Sequence, residues 1–151
     1  VFTGDKSSDF LYKCLHKAKI SNQSNSDHVN DGLKLNKAYI TTALKCVPPE
    51  DKPLKKELDN CSRFFNQELN LLTNVKAIIA LGKIAFDACK YFYQKRFKLD
   101  KKIKFGHGKI FKLKNGILLV GCYHPSPRNV NTGRINEKKM VSLFNKIKKI
   151  N

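Results

Sequence analysis

Apolar residues recur at helical spacing in four stretches of the chain. In the first stretch the periodic residues follow Ser7 and Ser8, which are typical helix-capping residues. In the third stretch we expect the inward-facing residues to be Ile84, Ala85, Ala88, Cys89 and Phe92. The pattern predicts helices over Ser7–Lys19, Leu54–Leu72, Gly82–Phe92 and Asn136–Ile150.

Four short runs are rich in β-branched and other apolar residues, and they predict strands over Ala38–Leu44, Ala77–Leu81, Ile110–Leu113 and Ile117–Cys122. The second run is continuously apolar, which is typical of a strand buried on both faces. Asn115 and Gly116 lie between the last two runs and predict a hairpin. Because strands alternate with helices, we expect an α/β fold of three layers, α/β/α, in which the middle layer is a mostly parallel sheet.

The length of 151 residues and the 41% hydrophobic content fit a single domain with a core. No stretch approaches the roughly 18 apolar residues of a membrane span, and nothing resembles a signal peptide. We therefore expect a soluble, cytoplasmic protein. The opening residues, Val1 to Asp5, have the composition of a loop interior, so we also expect further chain upstream.

The chain carries 30 Lys and Arg residues against 12 Asp and Glu, for a formal charge of +18. Such an excess is typical of proteins that bind a polyanion, and nucleic acid is the leading candidate. Lys and Asn are common throughout, which an AT-rich coding bias would also produce. An anionic membrane surface fits less well, because the basic residues are scattered and not gathered beside an apolar anchor.

The chain has five cysteines, an odd number with irregular spacing, which argues against a disulfide framework. Cys14 and Cys89 fall on apolar helix faces and Cys122 ends a predicted strand, so we interpret these three as small buried hydrophobes. Cys46 and Cys61 lie in a predicted loop-to-helix setting. From the residues alone, they are either buried thiols or metal ligands.

Polar loops follow three of the predicted strands, and the carboxyl ends of parallel strands meet at one edge of a sheet. The loops are Lys45–Pro53, Gly82–Lys83 and Tyr123–Asn129. A glycine such as Gly82 at a strand-to-helix turn lets backbone amides approach a phosphate. The simpler interpretation of Gly82 is a tight turn.

Several short motifs occur along the chain in a recognisable order. They are Phe2-Thr3-Gly4-Asp5-Lys6-Ser7, Tyr39-Ile40-Thr41, Lys45-Cys46-Val47-Pro48-Pro49, Gly106-His107-Gly108 and the segment from His124 to Arg134. Together they resemble the family 5 uracil-DNA glycosylases, which are iron-sulfur enzymes, and the last segment is similar to that family's second signature motif. The resemblance covers residues 1–151 as one uracil-DNA glycosylase-like domain.

The resemblance implies a four-stranded central sheet whose first strand would precede Val1. It also implies that the family's first signature motif, a Gly-Leu-Ala-Pro-like loop, and two cluster cysteines lie upstream. Cys46 and Cys61 resemble two of the four thiolates that hold a [4Fe-4S] cluster in this family.

The resemblance also assigns roles to individual residues around a base flipped out of the DNA stack. His124 would donate to a carbonyl oxygen of the departing base, and Asp5 would orient water or stabilise the cationic sugar. Asp5 is equally suited to a turn or helix cap. Phe2 would stack on the base and Thr42 would lie at its polar edge. Contacts to DNA would come from Gly82, His107, Ser126, Asn129, Thr132 and Arg134.

Three positions depart from the family pattern. Family 4 relatives carry Asn where this chain has Thr42, which indicates a substrate range wider than uracil and including hypoxanthine. Asp51 replaces a usual Asn, and Ser8 replaces a usual Gly. We expect a monomeric, monofunctional DNA repair glycosylase associated with a prokaryotic nucleoid. The alternatives are a catalytically incompetent nucleic-acid-binding remnant and an unrelated thiol-rich metal protein.

Overall fold

In the computed structural model, residues 4–45, 53–100 and 102–150 are described. They form five helices and three strands. In chain order these are α1 (Lys6–Lys17), α2 (Lys55–Leu71), β1 (Ala77–Leu81), α3 (Lys83–Gln94), β2 (Ile110–Lys112), β3 (Leu118–Cys122), α4 (Pro127–Asn131) and α5 (Glu137–Ile150). The strands make an open sheet in the order β1-β3-β2. The predicted class, α/β with a mostly parallel sheet flanked by helices, is confirmed, with β2 and β3 as an antiparallel pair.

The chain divides into two compact units, Val1–Tyr39 with Cys122–Asn151, and Ile40–Gly121. In the first unit α1 packs against α5. Each helix buries one apolar stripe, as the helical spacing predicted. The buried side chains of the two helices include Leu11, Cys14, Leu15, Met140, Leu143, Phe144 and Ile147. The expectation of a single domain stays a prediction.

The second unit has a core in which α3 packs against β1. Phe86, Cys89, Phe92 and Tyr93 form the buried face of α3, and Leu119 of β3 belongs to the same cluster. The prediction that Ile84 faces inward is wrong, because its side chain is 46% exposed. Gly82 caps α3 with a φ of 98°, so the helix begins at Lys83 and its buried face is set by Phe86.

The predicted hairpin between β2 and β3 is confirmed. Phe111 pairs with Leu119 in an antiparallel register, and the Leu113 amide donates to the Ile117 carbonyl at 2.8 Å. Gly116 has a φ of 85°, a conformation that glycine adopts without the strain a side chain would cause.

The predicted strand over Ala38–Leu44 is wrong, because no strand is found there in the described part of the chain. β-Branched residues favour an extended backbone, but a strand also needs a partner for its amides and carbonyls. Side chains of this segment bond instead to α2: the Lys45 ammonium lies 2.6 Å from a Glu68 carboxylate oxygen, and the Thr41 hydroxyl donates to the same carboxylate.

The cysteine interpretation is confirmed for Cys14, Cys89 and Cys122, which are all buried. Burial raises the pKa of Cys14 to about 11 and those of Cys89 and Cys122 to about 12. These thiols are therefore protonated at neutral pH and act as small apolar groups. Among the described residues, no helix is long and apolar enough to cross a membrane.

Candidate active site

Asp5 caps the amino terminus of α1. Its Oδ1 accepts hydrogen bonds from the backbone amides of Ser7 and Ser8, at 2.7 and 2.8 Å. The Ser8 side chain returns to the backbone of Asp5, where its Oγ accepts from the amide at 3.3 Å, so the two residues form a capping box. The helix therefore begins one residue before the predicted Ser7, with Asp5 as its cap. Since both bonds use Oδ1, Oδ2 has no hydrogen-bond donor within the described ranges.

His124 lies two residues beyond the end of β3, in the same unit as Asp5. The residue is exposed at the surface, but neighbouring protein atoms remove part of the water around the ring. This desolvation lowers the pKa of His124 below its ordinary value, against a smaller opposing effect of the Asp5 charge. The imidazole is therefore neutral at neutral pH and carries one N–H donor and one acceptor nitrogen.

The segment after His124 forms the short helix α4, which periodicity did not predict. Ser126 is its N-cap and accepts the Asn129 amide at 3.4 Å, while Pro127 occupies the first helical position. A Ser-Pro pair is a known helix-start signal and would have found this helix. The Asn129 side-chain amide donates to the His124 carbonyl oxygen at 2.9 Å, so α4 braces the backbone of His124.

The end of α4 is held by hydrogen bonds to the backbone carbonyls of the helix. The Thr132 hydroxyl donates to the Arg128 carbonyl at 2.8 Å, and Gly133 has a φ of 69°. Ile135 is fully buried, and its amide donates to the Asn129 carbonyl at 3.2 Å. Arg134 is exposed between these anchored positions. The structure therefore brings Asp5, His124, Ser126, Asn129, Thr132 and Arg134 into one unit.

The remaining described candidates lie in the second unit. Thr42 is half-buried beside Thr41, whose hydroxyl also accepts from the Lys45 ammonium at 2.7 Å. Burial alone would raise the pKa of Glu68, but the hydrogen bonds from Lys45 and Thr41 hold it below its usual value. Sequence reasoning missed Glu68, which ties the segment containing Thr42 to α2.

Gly82 and His107 each lie at a turn of this second unit. Gly82 leads from β1 into α3, as predicted. His107 is half-buried between two glycines, and the Gly108 amide donates to the Gly121 carbonyl at 2.8 Å. A Cβ atom on Gly121 would come within 2.4 Å of the Gly106 carbonyl oxygen. The glycine at 121 therefore allows the turn around His107 to lie directly against β3.

Of the two predicted metal ligands, Cys61 is buried on α2, and the Lys45 amide donates to its sulfur at 3.5 Å. A backbone donor to a thiolate sulfur is one of the features that tune iron-sulfur sites. Within the described ranges no three His, Cys, Asp or Glu side chains group as a metal site. Cys46 and Phe2 lie outside the described residues.

Chemically, the first unit combines a neutral imidazole, a carboxylate and a loop of hydroxyl, amide and guanidinium groups. A neutral N–H can donate to an oxygen on which negative charge develops. The negative charge of a carboxylate can balance a positive charge that develops on the substrate. The arrangement can therefore serve a reaction that separates charge between two parts of one substrate.

Known proteins are similar to this chain over most of its length. The profile of the uracil DNA glycosylase superfamily matches residues 1–148. The type-5 uracil-DNA glycosylase of Mycobacterium bovis is 37% identical over 99% of this chain and 56% of its own length. That of Thermus thermophilus is 36% identical over 99% of this chain and 66% of its own length. The type-4 enzyme of Archaeoglobus fulgidus is 25% identical over 63% of this chain. The chain spans between about half and two thirds of the length of the curated type-5 relatives it matches.

Proposed function

Because this chain belongs to the uracil DNA glycosylase superfamily, we propose that it serves in DNA repair as a glycosylase that hydrolyses the N-glycosidic bond of uracil in DNA. Type-5 uracil-DNA glycosylases match it along almost its entire length, which supports that specificity. The reaction leaves an abasic site and starts base excision repair. Thr42, with one hydroxyl, supports a wider range that includes hypoxanthine.

The proposal depends above all on the placement of His124 and Asp5 in one unit, where the Asn129 side chain holds the His124 backbone by a hydrogen bond. Cleavage of the bond places negative charge on the departing base and positive charge on the sugar. A neutral His124 donates to a carbonyl oxygen of the base and stabilises it as an anion. Asp5, whose side chain is exposed, stabilises the sugar cation or orients the attacking water through Oδ2.

The surrounding residues bind the DNA around the extruded nucleotide. Phe2 stacks on the base and Thr42 contacts its polar edge, as the family resemblance implies. Ser126, Asn129, Thr132 and Arg134 supply polar groups of the kind that contact phosphates. Gly82 and His107 add contacts from two further turns. The charge of +18 supports a DNA partner.

We also propose that Cys46 and Cys61 provide two of the four thiolates of a [4Fe-4S] cluster. Cys61 fits this use because its sulfur is buried and accepts a backbone amide. When bound, a cluster links the segments that carry its thiolates. We further propose that the protein works as a monomer. We also propose that it associates with a prokaryotic nucleoid, since the relatives are bacterial and archaeal enzymes named for an action on DNA.

A uracil-containing oligonucleotide tests the reaction. The wild-type protein should release uracil and leave an abasic site, whereas His124→Ala should lower the single-turnover rate constant by about 100-fold or more, the scale of losing one donor to a developing anion. His28→Ala is the matched control, because His28 is an exposed histidine in the same unit. Equal rates for His124→Ala and the wild type would remove the role given to His124. No uracil release by the wild type would overturn the proposed function.

A further inference from the structure

A basic groove of about 650 Å³ runs along α5 beside the carboxyl-terminal end of α1. Its lining includes Lys17, Lys138, Ser142, Asn145, Lys146 and Lys149. We propose that this groove binds the phosphate backbone of DNA outside the segment that carries the damaged base. The inference rests on the proposed function in taking DNA as the polyanion.

The charge of the groove favours an anionic occupant. Glu137 is the one carboxylate among its described lining residues, and it is already paired with Lys17 at 2.5 Å and with Lys13 at 3.5 Å. Lys138, Lys146 and Lys149 are exposed and form no ion pair within the described ranges. These three lysines therefore give the groove a net positive charge that a phosphate chain would neutralise.

The spacing of the donors fits an extended polyanion better than a single small anion. Lys138, Ser142, Asn145 and Lys149 follow one another at intervals of four, three and four residues, so they share one face of α5. From Lys138 to Lys149 the helix rises about 16 Å, the length of about five nucleotides of a duplex strand. Lysine, serine and asparagine side chains all belong to the usual donors to DNA phosphates.

The groove lies at the far end of α1 from the proposed active site. Asp5 caps the first turn of α1 and Lys17 is its last residue, which places the two about 18 Å apart along the helix. A DNA segment in the groove is therefore separate from the nucleotide that Asp5 and His124 act on. Such a contact would hold the enzyme on undamaged DNA, where association depends on charge and not on base sequence.

The test measures binding of an undamaged duplex by fluorescence anisotropy across a series of salt concentrations. The variant is Lys138→Gln/Lys146→Gln/Lys149→Gln, which removes three charges but keeps helix-compatible side chains. Lys148 stays unchanged because its ammonium donates to the Ala18 carbonyl at 2.7 Å. The slope of log K against log salt should fall in magnitude by about 2 to 3, and affinity at low salt by at least about tenfold.

A matched control carries the same charge change elsewhere, as Lys56→Gln/Lys112→Gln/Lys114→Gln on exposed positions of the second unit. Its slope should change by less than about 1, and thermal melting should show both variants folded. Equal slope changes in the two variants would overturn the inference. So would an unchanged slope accompanied by loss of binding to vesicles of anionic phospholipid, which would identify the groove as a membrane contact.

Uracil excision separates this inference from the proposed function. At saturating enzyme, the groove variant should retain the wild-type single-turnover rate constant. A rate loss there as large as that of His124→Ala would place the groove within the active site and overturn the inference. A wild type without excision whose groove variant still shows the smaller slope would overturn the proposed reaction and leave the groove as a DNA-binding site.

Discussion

The side-chain amide of Asn129 donates a 2.9 Å hydrogen bond to the carbonyl oxygen of His124. The bond ties the backbone of the proposed catalytic histidine to α4, whose end is in turn anchored by the buried Ile135. Asn129 was expected from sequence to contact DNA. The bond supports a second use, in which Asn129 positions His124.

If Asn129 positions His124, its loss should slow chemistry more than binding. Asn129→Asp keeps the size of the side chain but removes the donor, and should lower the single-turnover excision rate constant by about 10- to 100-fold through misplacement of His124. Affinity for undamaged DNA should fall much less. Asn131→Asp, also in α4 and exposed, controls for the added charge. Similar rate constants for the two variants would return Asn129 to a simple surface role.

The lowered pKa of His124 predicts a loss of both activity and stability on the acid side. In the unfolded chain the ring titrates near its ordinary value of 6.5, and in the folded protein it titrates below that value. The unfolded state therefore binds more protons than the folded state over this range. The contribution of His124 to stability is fully present above the pKa of the unfolded chain and is lost as pH falls through the pKa of the folded protein. Denaturant titrations from pH 7.5 to 5 should show this decline.

His124→Asn should flatten that part of the stability profile, because the side chain no longer titrates. A wild-type profile that the His124→Asn variant reproduces would assign the decline to other groups. The excision rate of the wild type should fall over the same acid range, because an imidazolium adds a positive charge near the sugar on which the reaction develops positive charge.

Asp5 has a structural role and a proposed chemical role, which two substitutions separate. Asp5→Asn should retain most of the helix cap, so its free energy of unfolding should stay within about 0.5 kcal/mol of the wild-type value. Asp5→Ala should lower the free energy of unfolding by about 1 kcal/mol. Both should lose excision activity by a similar factor of about 100 or more if the carboxylate charge supports the sugar cation. Full activity in Asp5→Asn would leave the residue with its cap alone.

Gly121 is predicted to accept no side chain without a shift of the backbone. In Gly121→Ala the new Cβ would meet the Gly106 carbonyl oxygen at 2.4 Å, so the backbone must shift. We expect a loss of more than about 2 kcal/mol in the free energy of unfolding, as for other overpacked sites. Gly106→Ala is the control, because its Cβ meets the flexible side chain of Lys109, and it should lose less than about 1 kcal/mol. Equal losses would show that the turn around His107 can move away from β3.

Much of the local structure follows from the sequence because it depends on neighbours within a few residues. Helical periodicity located α1, α2, α3 and α5 to within a few residues, and Asn115-Gly116 located the hairpin. The continuously apolar run Ala77–Leu81 became β1 with the predicted bounds. The ordered motifs from Phe2 to Arg134 also gave the family resemblance, because the identity and order of motifs are properties of the sequence alone.

Other features depended on tertiary structure because they join residues that are distant along the chain. The segment Ala38–Leu44 has strand propensity, but bonds from Thr41 and Lys45 to Glu68 tie it to α2, more than twenty residues away. Neighbouring protein atoms desolvate His124, and the charge of Asp5 acts on it although the two residues are far apart in the sequence. Likewise, the lysines of the α5 groove are spread among many others in the sequence. Only helix packing places Lys17 beside them, because proximity in space depends on which apolar faces are buried together.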